Sequence, residues 1–262
     1  MTLFFHEMRR GLRALLIWAA AVGALVLMCI LLFPEMKSQM DGMADLFARM
    51  GAFTAAFGMD KISFADALGF YGIEGGNILG LGGAMFASLL GANALAAEEA
   101  NHTAEFLLTH PVRRGRVAAE KLLAAVAQVL LLNLLVFALA LAGFFGIGES
   151  ISLPDIARLH AGWLCMQLEL AALSFGLSPF LRGGSMGVGL GLALGLYFLN
   201  LVANISAQAK FLRWITPFAY CEAADVLASA RLDGALLAVG LLYAAAAACV
   251  GLWKFTNKDI CS

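Results

Sequence analysis

The chain alternates long apolar runs with shorter polar segments. Six runs reach the roughly 20 residues that a helix needs to cross about 30 Å of hydrocarbon. They cover approximately residues 14–33, 76–97, 122–147, 156–181, 185–205 and 235–253. None shows the alternating pattern of a membrane barrel strand, and a backbone in lipid must otherwise be helical. The pattern predicts an all-α polytopic membrane protein with six transmembrane helices, in a single transmembrane domain over residues 1–262.

The composition supports a membrane protein. Hydrophobic residues make up 62% of the chain and charged residues 13%. The mean hydropathy is +0.87, which is far more apolar than the usage of an average soluble domain. The first apolar run is longer than the core of a cleaved signal, so we expect it to be retained. The five cysteines are scattered, without the spacing of a metal site or a disulfide framework.

Positive charge predicts which side of the membrane each polar segment faces. Ten of the 17 lysines and arginines fall in short segments on one side: Arg9, Arg10, Arg13, Arg113, Arg114, Arg116, Lys121, Arg182, Lys254 and Lys258. The longer loops of the other side contain more acids than basic residues. Short loops rich in lysine and arginine remain in the cytoplasm. We therefore expect both termini to be cytoplasmic, as an even number of spans requires.

Residues 1–13 have an amphipathic pattern. On a helix, Phe4, Phe5, Met8 and Leu12 share one stripe and the charged residues lie on the other side. The pattern predicts an N-terminal amphipathic interfacial helix on the inner leaflet. The alternative is a polar flank that belongs to the first span.

Two segments on the predicted outer side are more apolar than free loops. Residues 34–74 predict two short helices, near 42–53 and 64–71. Residues 206–233 carry aromatic residues around Pro217: Phe211, Trp214, Phe218 and Tyr220. Such rings favour the membrane–water boundary. We expect a broken outer hairpin, partly re-entrant, before the sixth span.

Small residues recur at every fourth position in two predicted spans. The fifth span has Gly187, Gly191 and Gly195 after Gly183, and the second span has a longer row that includes Gly80. Such rows let helix backbones approach closely in lipid. The spacing fits helix packing within the chain, a subunit interface or a sliding surface, and the sequence leaves these alternatives open.

Few polar residues lie inside the predicted spans. Glu169 is near the middle of the fourth span, where a charge costs at least roughly 2.5–3.5 kcal/mol, so it must face protein, water or a proton. It either lines a path or binds a cation, or it is a protonated or hydrogen-bonded packing residue. The asparagines also suit hydrogen bonds between helices. The candidate substrate-path residues are Ser88, Asn133, Glu169, Asn200 and Asn204.

The sequence has no motif for ATP hydrolysis. No lysine follows a glycine anywhere in the chain, so a phosphate-binding loop of the form GxxxxGKS or GxxxxGKT is absent. There is also no HExxH motif and no cluster of cysteine and histidine. We therefore predict no catalytic residues, no metal ligands and a non-enzymatic role for this chain.

Residues 98–121, EEANHTAEFLLTHPVRRGRVAAEK, form a long polar interruption with a dense block of positive charge. The pattern predicts a charged helix that ends near His110, a break at Pro111, and arginines that lead into the third span. The segment lies on the predicted cytoplasmic side, between the second and third spans. The alternative is a solvated loop whose arginines extend along the membrane surface.

This segment resembles a known family, the membrane subunits (permeases) of type-2 ATP-binding-cassette (ABC) exporters. The residues that carry the resemblance are Glu98-Glu99, Thr103-x-Glu105-Phe106-Leu107-Leu108, Pro111-Val112-x-Arg114 and Lys121. The chain departs from the family pattern at Asn101-His102 and at Arg113, which weakens inferences about individual charge contacts. The segment from Trp214 to Asp225 resembles the family's sequence before the last span, so the resemblance covers essentially the whole chain.

The resemblance implies a cytoplasmic coupling helix that docks on a separate ATPase. It assigns to coupling Glu98, Glu99, His102, Thr103, Glu105, Phe106, Leu107, Leu108, Pro111, Arg113 and Arg114. ATP and magnesium would bind to the partner ATPase and not to this chain. Two ATPase subunits would join two permeases, this chain and a second copy or a related permease. The path between them would be lined by the second and fifth spans. The expected setting is the lipid bilayer of a bacterial-type inner membrane, with no nucleic acid as partner.

The composition of the spans bears on the substrate class. Few polar groups favour an apolar or amphipathic cargo such as a drug, antibiotic, peptide or lipid-like molecule, and members of the family also export ions. A secondary transporter is an alternative, but it predicts repeated halves and several ionisable residues near the midplane, which the chain lacks. A membrane scaffold would need neither a coupling segment nor a path. Co-purification of an ATPase would separate both alternatives from a permease.

Overall fold

The computed structural model describes residues 2–39, 51–59, 61–100, 113–181 and 185–258, and gives only the backbone at 98–100. All regular secondary structure in these ranges is helical. In chain order the elements are α1 (Thr2–Gln39), α2 (Gly51–Ala56), α3 (Ala67–Gly75), a π-helical turn (Gly76–Leu81), α4 (Gly82–Ala100), α5 (Arg114–Ile147), α6 (Leu153–Leu177), a 3₁₀ turn (Ser178–Phe180), α7 (Ser185–Ile205), two further 3₁₀ segments (Ala207–Trp214 and Pro217–Cys221), α8 (Ala223–Ser229) and α9 (Gly234–Asn257).

Five helical stretches of the described chain are long and apolar enough to cross a membrane: Thr2–Gln39, Ala67–Ala97, Arg114–Ile147, Ser185–Ile205 and Gly234–Asn257. They correspond to the first, second, third, fifth and sixth predicted spans. The fourth predicted span is α6, which has 25 residues but is not among the five. Asp155, Arg158, Gln167 and Glu169 make this helix less apolar than its neighbours.

The N-terminal residues do not form a helix separate from the first span, and the predicted interfacial helix is not confirmed. Residues 2–39 form one helix of 38 residues, about 57 Å long at 1.5 Å per residue, which exceeds the thickness of the hydrocarbon core. Its first turns pack along the start of α5. Lys121 Nζ donates to Glu7 Oε1 over 2.6 Å, and the backbone N–H of Phe4 donates to Glu120 Oε2 over 3.2 Å. These contacts hold the first turns in line with the span.

The outer segments differ in detail from the prediction. Most of the predicted helix near 42–53 lies outside the described residues, and only its end overlaps α2. The predicted helix near 64–71 is α3, which Asp66 caps by accepting the N–H of Gly69 over 3.0 Å. It continues through the π-helical turn into α4, so the second span begins earlier than its apolar run. Residues 206–233 are broken into two 3₁₀ segments and α8, as a broken hairpin requires.

Helix α6 is the centre of the helix bundle, packed between α4 and α9. Glycines permit both approaches. A Cβ at Gly91 of α4 would overlap the Ala171 carbonyl oxygen, and a Cβ at Gly176 would overlap the Ala247 carbonyl oxygen of α9. Helices associate this closely in lipid only where small residues remove the side chains between them. In the second span, Gly80 fits the predicted row, since a Cβ there would lie 3.8 Å from Trp163 Cδ1.

The glycine row of the fifth span does not pack within the described chain. Gly187, Gly191 and Gly195 have nothing within 4 Å of the position of an added Cβ, so the packing prediction within the chain is not observed for them. The packed face of α7 instead carries Gly189, Ala193, Asn200 and Ala203. Two positions along a helix correspond to a rotation of about 200°, so the predicted row lies on the opposite side of α7 from Gly189.

We predict that Gly189→Ala and Gly191→Ala have opposite effects on stability. A Cβ at Gly189 would lie 2.9 Å from the Ser88 carbonyl oxygen, so the first variant should lose about 1–3 kcal/mol through overpacking. In a single subunit Gly191→Ala meets open space, so in the monomer it should gain up to about 1 kcal/mol in helix propensity. Melting temperatures of the purified variants in detergent test this. Equal melting temperatures would show that α7 does not pack through Gly189.

Candidate functional site

The described chain contains only part of the predicted coupling region. His102, Thr103, Glu105, Phe106, Leu107, Leu108 and Pro111 lie outside the described residues. Glu98 and Glu99 are in the last turns of α4, and only their backbone is described. Arg113 is the N-cap residue of α5 and Arg114 begins that helix. The two flanks of the coupling segment, the end of α4 and the start of α5, can therefore be examined.

Ser178 ties the end of α4 to the end of α6. Its hydroxyl donates to the Ala92 carbonyl oxygen over 2.7 Å and accepts the N–H groups of Leu95 and Ala96 over 2.9 Å each. The side chain is fully buried, at 0% exposure. One hydroxyl thus makes three hydrogen bonds to the last turns of the helix that leads into the coupling segment.

A second set of contacts ties the start of α5 to the ends of α6 and α9. Arg114 Nη1 donates to the Lys258 carbonyl oxygen over 2.6 Å, and Lys258 Nζ donates to the Pro179 carbonyl oxygen over 2.9 Å. We call Arg114, Ser178, Pro179 and Lys258 the inner clasp, after the side that the charge pattern predicts to be cytoplasmic. Sequence reasoning did not identify Ser178, because nothing in its local pattern distinguishes it from other serines near span ends.

Two of the predicted path residues lie at helix crossings. Asn133 Nδ2 donates to Gln167 Oε1 over 2.6 Å, and Gln167 Nε2 donates to the Leu79 carbonyl oxygen of the π-helical turn over 3.0 Å. This chain of hydrogen bonds joins α5, α6 and the second span, as interhelical bonding predicts. Ser88 is fully buried beside Gly189, where α4 crosses α7. In the described chain neither side chain faces a cavity large enough for a substrate.

Glu169 lies in the seam between α6, α9 and the outer hairpin. The side chain is 2% exposed, and its Oε2 accepts the hydroxyl proton of Tyr220 over 3.1 Å. A Cβ at Gly240 of α9 would overlap this oxygen, so the glycine makes room for the carboxyl group. Among the described residues this geometry favours the hydrogen-bonded packing role over a path-lining one.

Asn200 lines a small cavity toward the predicted outer side of the bundle, and Asn204 hydrogen-bonds to Glu222, which also lines it. The cavity has a volume of about 60 Å³ and lies between the second span, α7 and the hairpin. Asn204 Nδ2 donates to Glu222 Oε1 over 2.7 Å and to the Ala56 carbonyl oxygen over 3.1 Å. We call this space the outer cavity; its polar lining residues are Asn77, Tyr197, Asn200 and Glu222. Two of the predicted path residues lie at or next to it, whereas Ser88, Asn133 and Glu169 lie elsewhere.

Glu222 is the functional candidate that sequence reasoning missed. Burial raises the pKa of its carboxyl group to about 7, and the negative charge of Asp225 adds to the shift. Asp225 itself pairs with Lys61 over 3.0 Å and with Arg213. The sequence contains several acids in the same outer segments, and no local signal separates the buried one from the exposed ones.

Tyr71 and His160 form a buried polar pair that the sequence analysis also did not single out. Tyr71 Oη lies 2.7 Å from His160 Nε2. The two rings stack with centroids 6.0 Å apart, and Trp163 packs edge-on against both. Aromatic rings enclose the pair, so it joins α3 to α6 as a packing element.

One short sequence match does not correspond to an enzyme site. Residues 183–187 read Gly-Gly-Ser-Met-Gly, which fits the Gly-x-Ser-x-Gly pattern of a nucleophile elbow. That elbow requires a strand before the serine and a helix after it. Ser185 begins α7, the preceding described element is a 3₁₀ turn, and the hydroxyl donates to Asn93 Oδ1. The local structure therefore gives no support for a nucleophile here.

Comparison with known proteins identifies the family. The model of the ABC-2 family transporter protein matches residues 1–260, almost the entire chain. The chain belongs to the ABC-2 transporter family. A comparison with curated proteins gives no match. The resemblance inferred from the coupling segment is confirmed. The ABC-2 protein is a multi-pass membrane component of a transport system that works with an ABC ATPase.

We predict different outcomes for two substitutions of Glu169 in the ABC-2 protein. Glu169→Gln should retain wild-type stability and transport, because the amide oxygen can still accept the Tyr220 hydroxyl proton. Glu169→Ala should lower the free energy of unfolding by about 1–3 kcal/mol, because it leaves that hydroxyl unpaired in a buried site. Melting temperatures and activity of the complex with its ATPase test both. A Gln variant with wild-type melting but lost activity would instead give the carboxylate a direct role in transport.

Proposed function

We propose that this ABC-2 protein is the permease subunit of an ATP-driven exporter. It moves a hydrophobic or amphipathic substrate outward by alternating access, and a pair of separate cytoplasmic ATPase subunits, which hold ATP and magnesium, provides the energy. The match of the family over residues 1–260 supports the permease role. The inner clasp is the observation that supports the coupling mechanism.

The inner clasp provides a route from an ATPase to the transport helices. The coupling segment is bounded by α4 and α5, and the clasp bonds both of these flanks to the ends of α6 and α9. A displacement of the segment would therefore move four helices together. Rigid helices joined by directional hydrogen bonds can transmit such a movement, whereas a flexible connection would absorb it.

We further infer six membrane crossings, with α6 as the fourth in chain order. Its 25 residues correspond to about 37 Å of helix, which is long enough to cross. Its polar side chains face α4, α5 and α9, so it needs fewer lipid-facing apolar residues than a peripheral span. An even number of crossings, with the basic segments inside, gives cytoplasmic termini in a bacterial-type inner membrane.

The uncovered face of α7 supports assembly with a second permease. Gly187, Gly191 and Gly195 form a small-residue row with no neighbour in the described chain, and such rows form close helix contacts in membranes. A second copy of this chain, or a related permease, would cover the row. The substrate path would then lie between the two subunits, along the second and fifth spans.

A pull-down tests the proposed function. We expect wild-type protein to co-purify with an ABC ATPase and the triple variant Glu105→Ala, Leu107→Ala, Leu108→Ala to lose it while still inserting into the membrane. The variant removes the proposed docking side chains and leaves every described span unchanged. Retention of the ATPase at wild-type yield by the triple variant would contradict coupling through this segment. Wild-type protein that never captures an ATPase would favour a secondary transporter or a scaffold.

We predict that Ser178→Ala uncouples the complex without dissociating it. The substitution removes three hydrogen bonds to the end of α4, each worth about 0.5–1.5 kcal/mol net, but no residue of the docking segment. ATPase binding should therefore stay at the wild-type level, whereas stimulation of ATP hydrolysis by the permease should fall several-fold.

The matched control is Ser174→Ala in the same helix. The Ser174 hydroxyl is buried and has no hydrogen-bond partner among the described residues, so its removal should leave both ATPase binding and stimulation unchanged. If the Ser178 and Ser174 variants stimulate ATP hydrolysis equally, the inner clasp has no role in coupling.

A further inference from the structure

Two residues that line the outer cavity each have a buried acceptor oxygen without a hydrogen-bond partner in the described chain. The two oxygens are Asn200 Oδ1 and Glu222 Oε2. Asn200 is only 7% exposed. Buried polar atoms are nearly always paired, so an unpaired one indicates an absent water, ion or ligand. Two unpaired acceptors around one cavity indicate an occupant that donates hydrogen bonds or carries positive charge.

Two of the donors near Glu222 are already used. An amide nitrogen has two protons, and Asn204 Nδ2 gives them to Glu222 Oε1 and the Ala56 carbonyl oxygen. The Tyr197 hydroxyl donates to Asn77 Oδ1 over 2.9 Å. Neither group can therefore also donate to Glu222 Oε2 without giving up its present bond.

The nearby cations form ion pairs with Asp225, although Arg213 Nε has no hydrogen-bond partner in the described chain. Lys61 and Arg213 both pair with Asp225, on its two different carboxylate oxygens. Glu222 forms no ion pair with any residue in the described ranges. Asn204 thus holds one oxygen of this carboxylate, and the other oxygen is buried without a counter-charge in direct contact.

We propose that the outer cavity binds a monovalent cation between Glu222 and Asn200, either a free alkali ion or the terminal ammonium group of a substrate. A cavity of about 60 Å³ has room for a small ion with a few waters, and is far below the roughly 300–1,000 Å³ of a drug-sized site. One carboxylate and a few neutral oxygens suit a single positive charge. Calcium takes about six to eight oxygen ligands and usually more than one carboxylate.

The walls of the cavity also suit a cation. Trp163, Tyr197 and Phe218 line it, and aromatic faces attract alkali and ammonium ions. Gly76 and Gly80 of the second span line the same space without side chains. An ion held here would contact the second span, α7 and the hairpin together. The proposal concerns the permease alone and can fail or succeed independently of ATP-driven export.

Cation-dependent stability of the purified permease tests the site. Melting temperatures are measured in sodium, potassium or methylammonium chloride against N-methyl-D-glucamine chloride at constant ionic strength. A ligand that binds only the folded state raises the melting temperature. We expect at least one of the three small cations to do so. A shift with sodium or potassium alone assigns the site to an alkali ion, and a shift with methylammonium alone assigns it to an ammonium group.

The variant Glu222→Gln distinguishes cation binding at this site from a general effect of salt on stability. The new amide oxygen can still accept from Asn204, and the variant has no buried negative charge without a counter-charge, so it should melt higher than wild type in N-methyl-D-glucamine. It should lose the cation-dependent shift, because loss of a charged contact weakens binding roughly 10- to 100-fold. Glu149→Gln removes the same charge from the partly exposed pair with Lys37 and should keep the shift.

A direct binding measurement on the wild-type protein tests the site even if the Glu222 variant does not fold. Wild-type permease is titrated with radioactive sodium ion, with methylammonium as competitor, and Asn200→Leu is measured beside it. We expect saturable binding of sodium or methylammonium that weakens in the Asn200 variant. No saturable binding and no shift for any of the three cations would overturn the proposal. So would an unchanged cation-dependent shift in Glu222→Gln.

Acid should weaken the binding. Burial and the charge of Asp225 raise the pKa of Glu222 to about 7, against the opposite effects of Lys61, Arg213 and Asn204. Above this pH the carboxylate is charged and available to the cation, and as pH falls through about 7 the proton competes with it. The cation-dependent shift should therefore be larger at about pH 8 than at about pH 6. The Glu222→Gln variant should show no such pH dependence.

Discussion

The structure depends on the enclosure of the polar groups of α6 by its neighbours. A buried polar group costs free energy unless it is hydrogen-bonded, and lipid offers no water to replace a missing partner. Two buried polar side chains of α6 find their partners on other elements: Gln167 bonds to the π-helical turn and to α5, and Glu169 bonds to the outer hairpin. The adjoining Ser178 bonds to α4. Helix α6 can therefore occupy the centre of the bundle in contact with α4, α5 and α9, whereas α1 packs mainly on α5 and α7 mainly on α4.

The glycines of the neighbouring helices are matched to these polar side chains. A Cβ at Gly83 would overlap the Gln167 amide, and a Cβ at Gly240 would overlap the Glu169 carboxylate. In a membrane, small residues usually serve only to bring backbones together. Here they also leave the volume that a buried amide or carboxyl group occupies, so packing and polar pairing constrain the same positions.

The two ends of α6 connect this core to the regions with functional potential. Toward the predicted cytoplasm, Ser178 and the inner clasp hold both flanks of the coupling segment. Toward the predicted exterior, Tyr220 binds Glu169 and belongs to the same hairpin as Glu222 of the outer cavity. A rigid central helix whose ends carry different contacts is a physical means by which events on one side of a membrane can affect the other. The proposed coupling rests on the inner end of this element, and the proposed cation site lies beside its middle, where Trp163 and Met166 line the outer cavity.

The sequence alone determined the membrane class, the approximate position of the long spans and, through the coupling segment, the family. Length and hydropathy are local properties, and the residues from Glu98 to Arg114 lie next to one another in the chain. It did not determine that α1 is continuous, because this depends on pairing of Glu7 with Lys121 of another helix. It identified the Gly187 row by spacing, but only the tertiary structure decided that Gly189 faces α4. It placed Asn200 and Asn204 in a polar path, but not beside Glu222, because the cavity exists only where the hairpin folds against α7. Periodicity defines the face of a helix, whereas the covering of that face depends on residues distant in the chain.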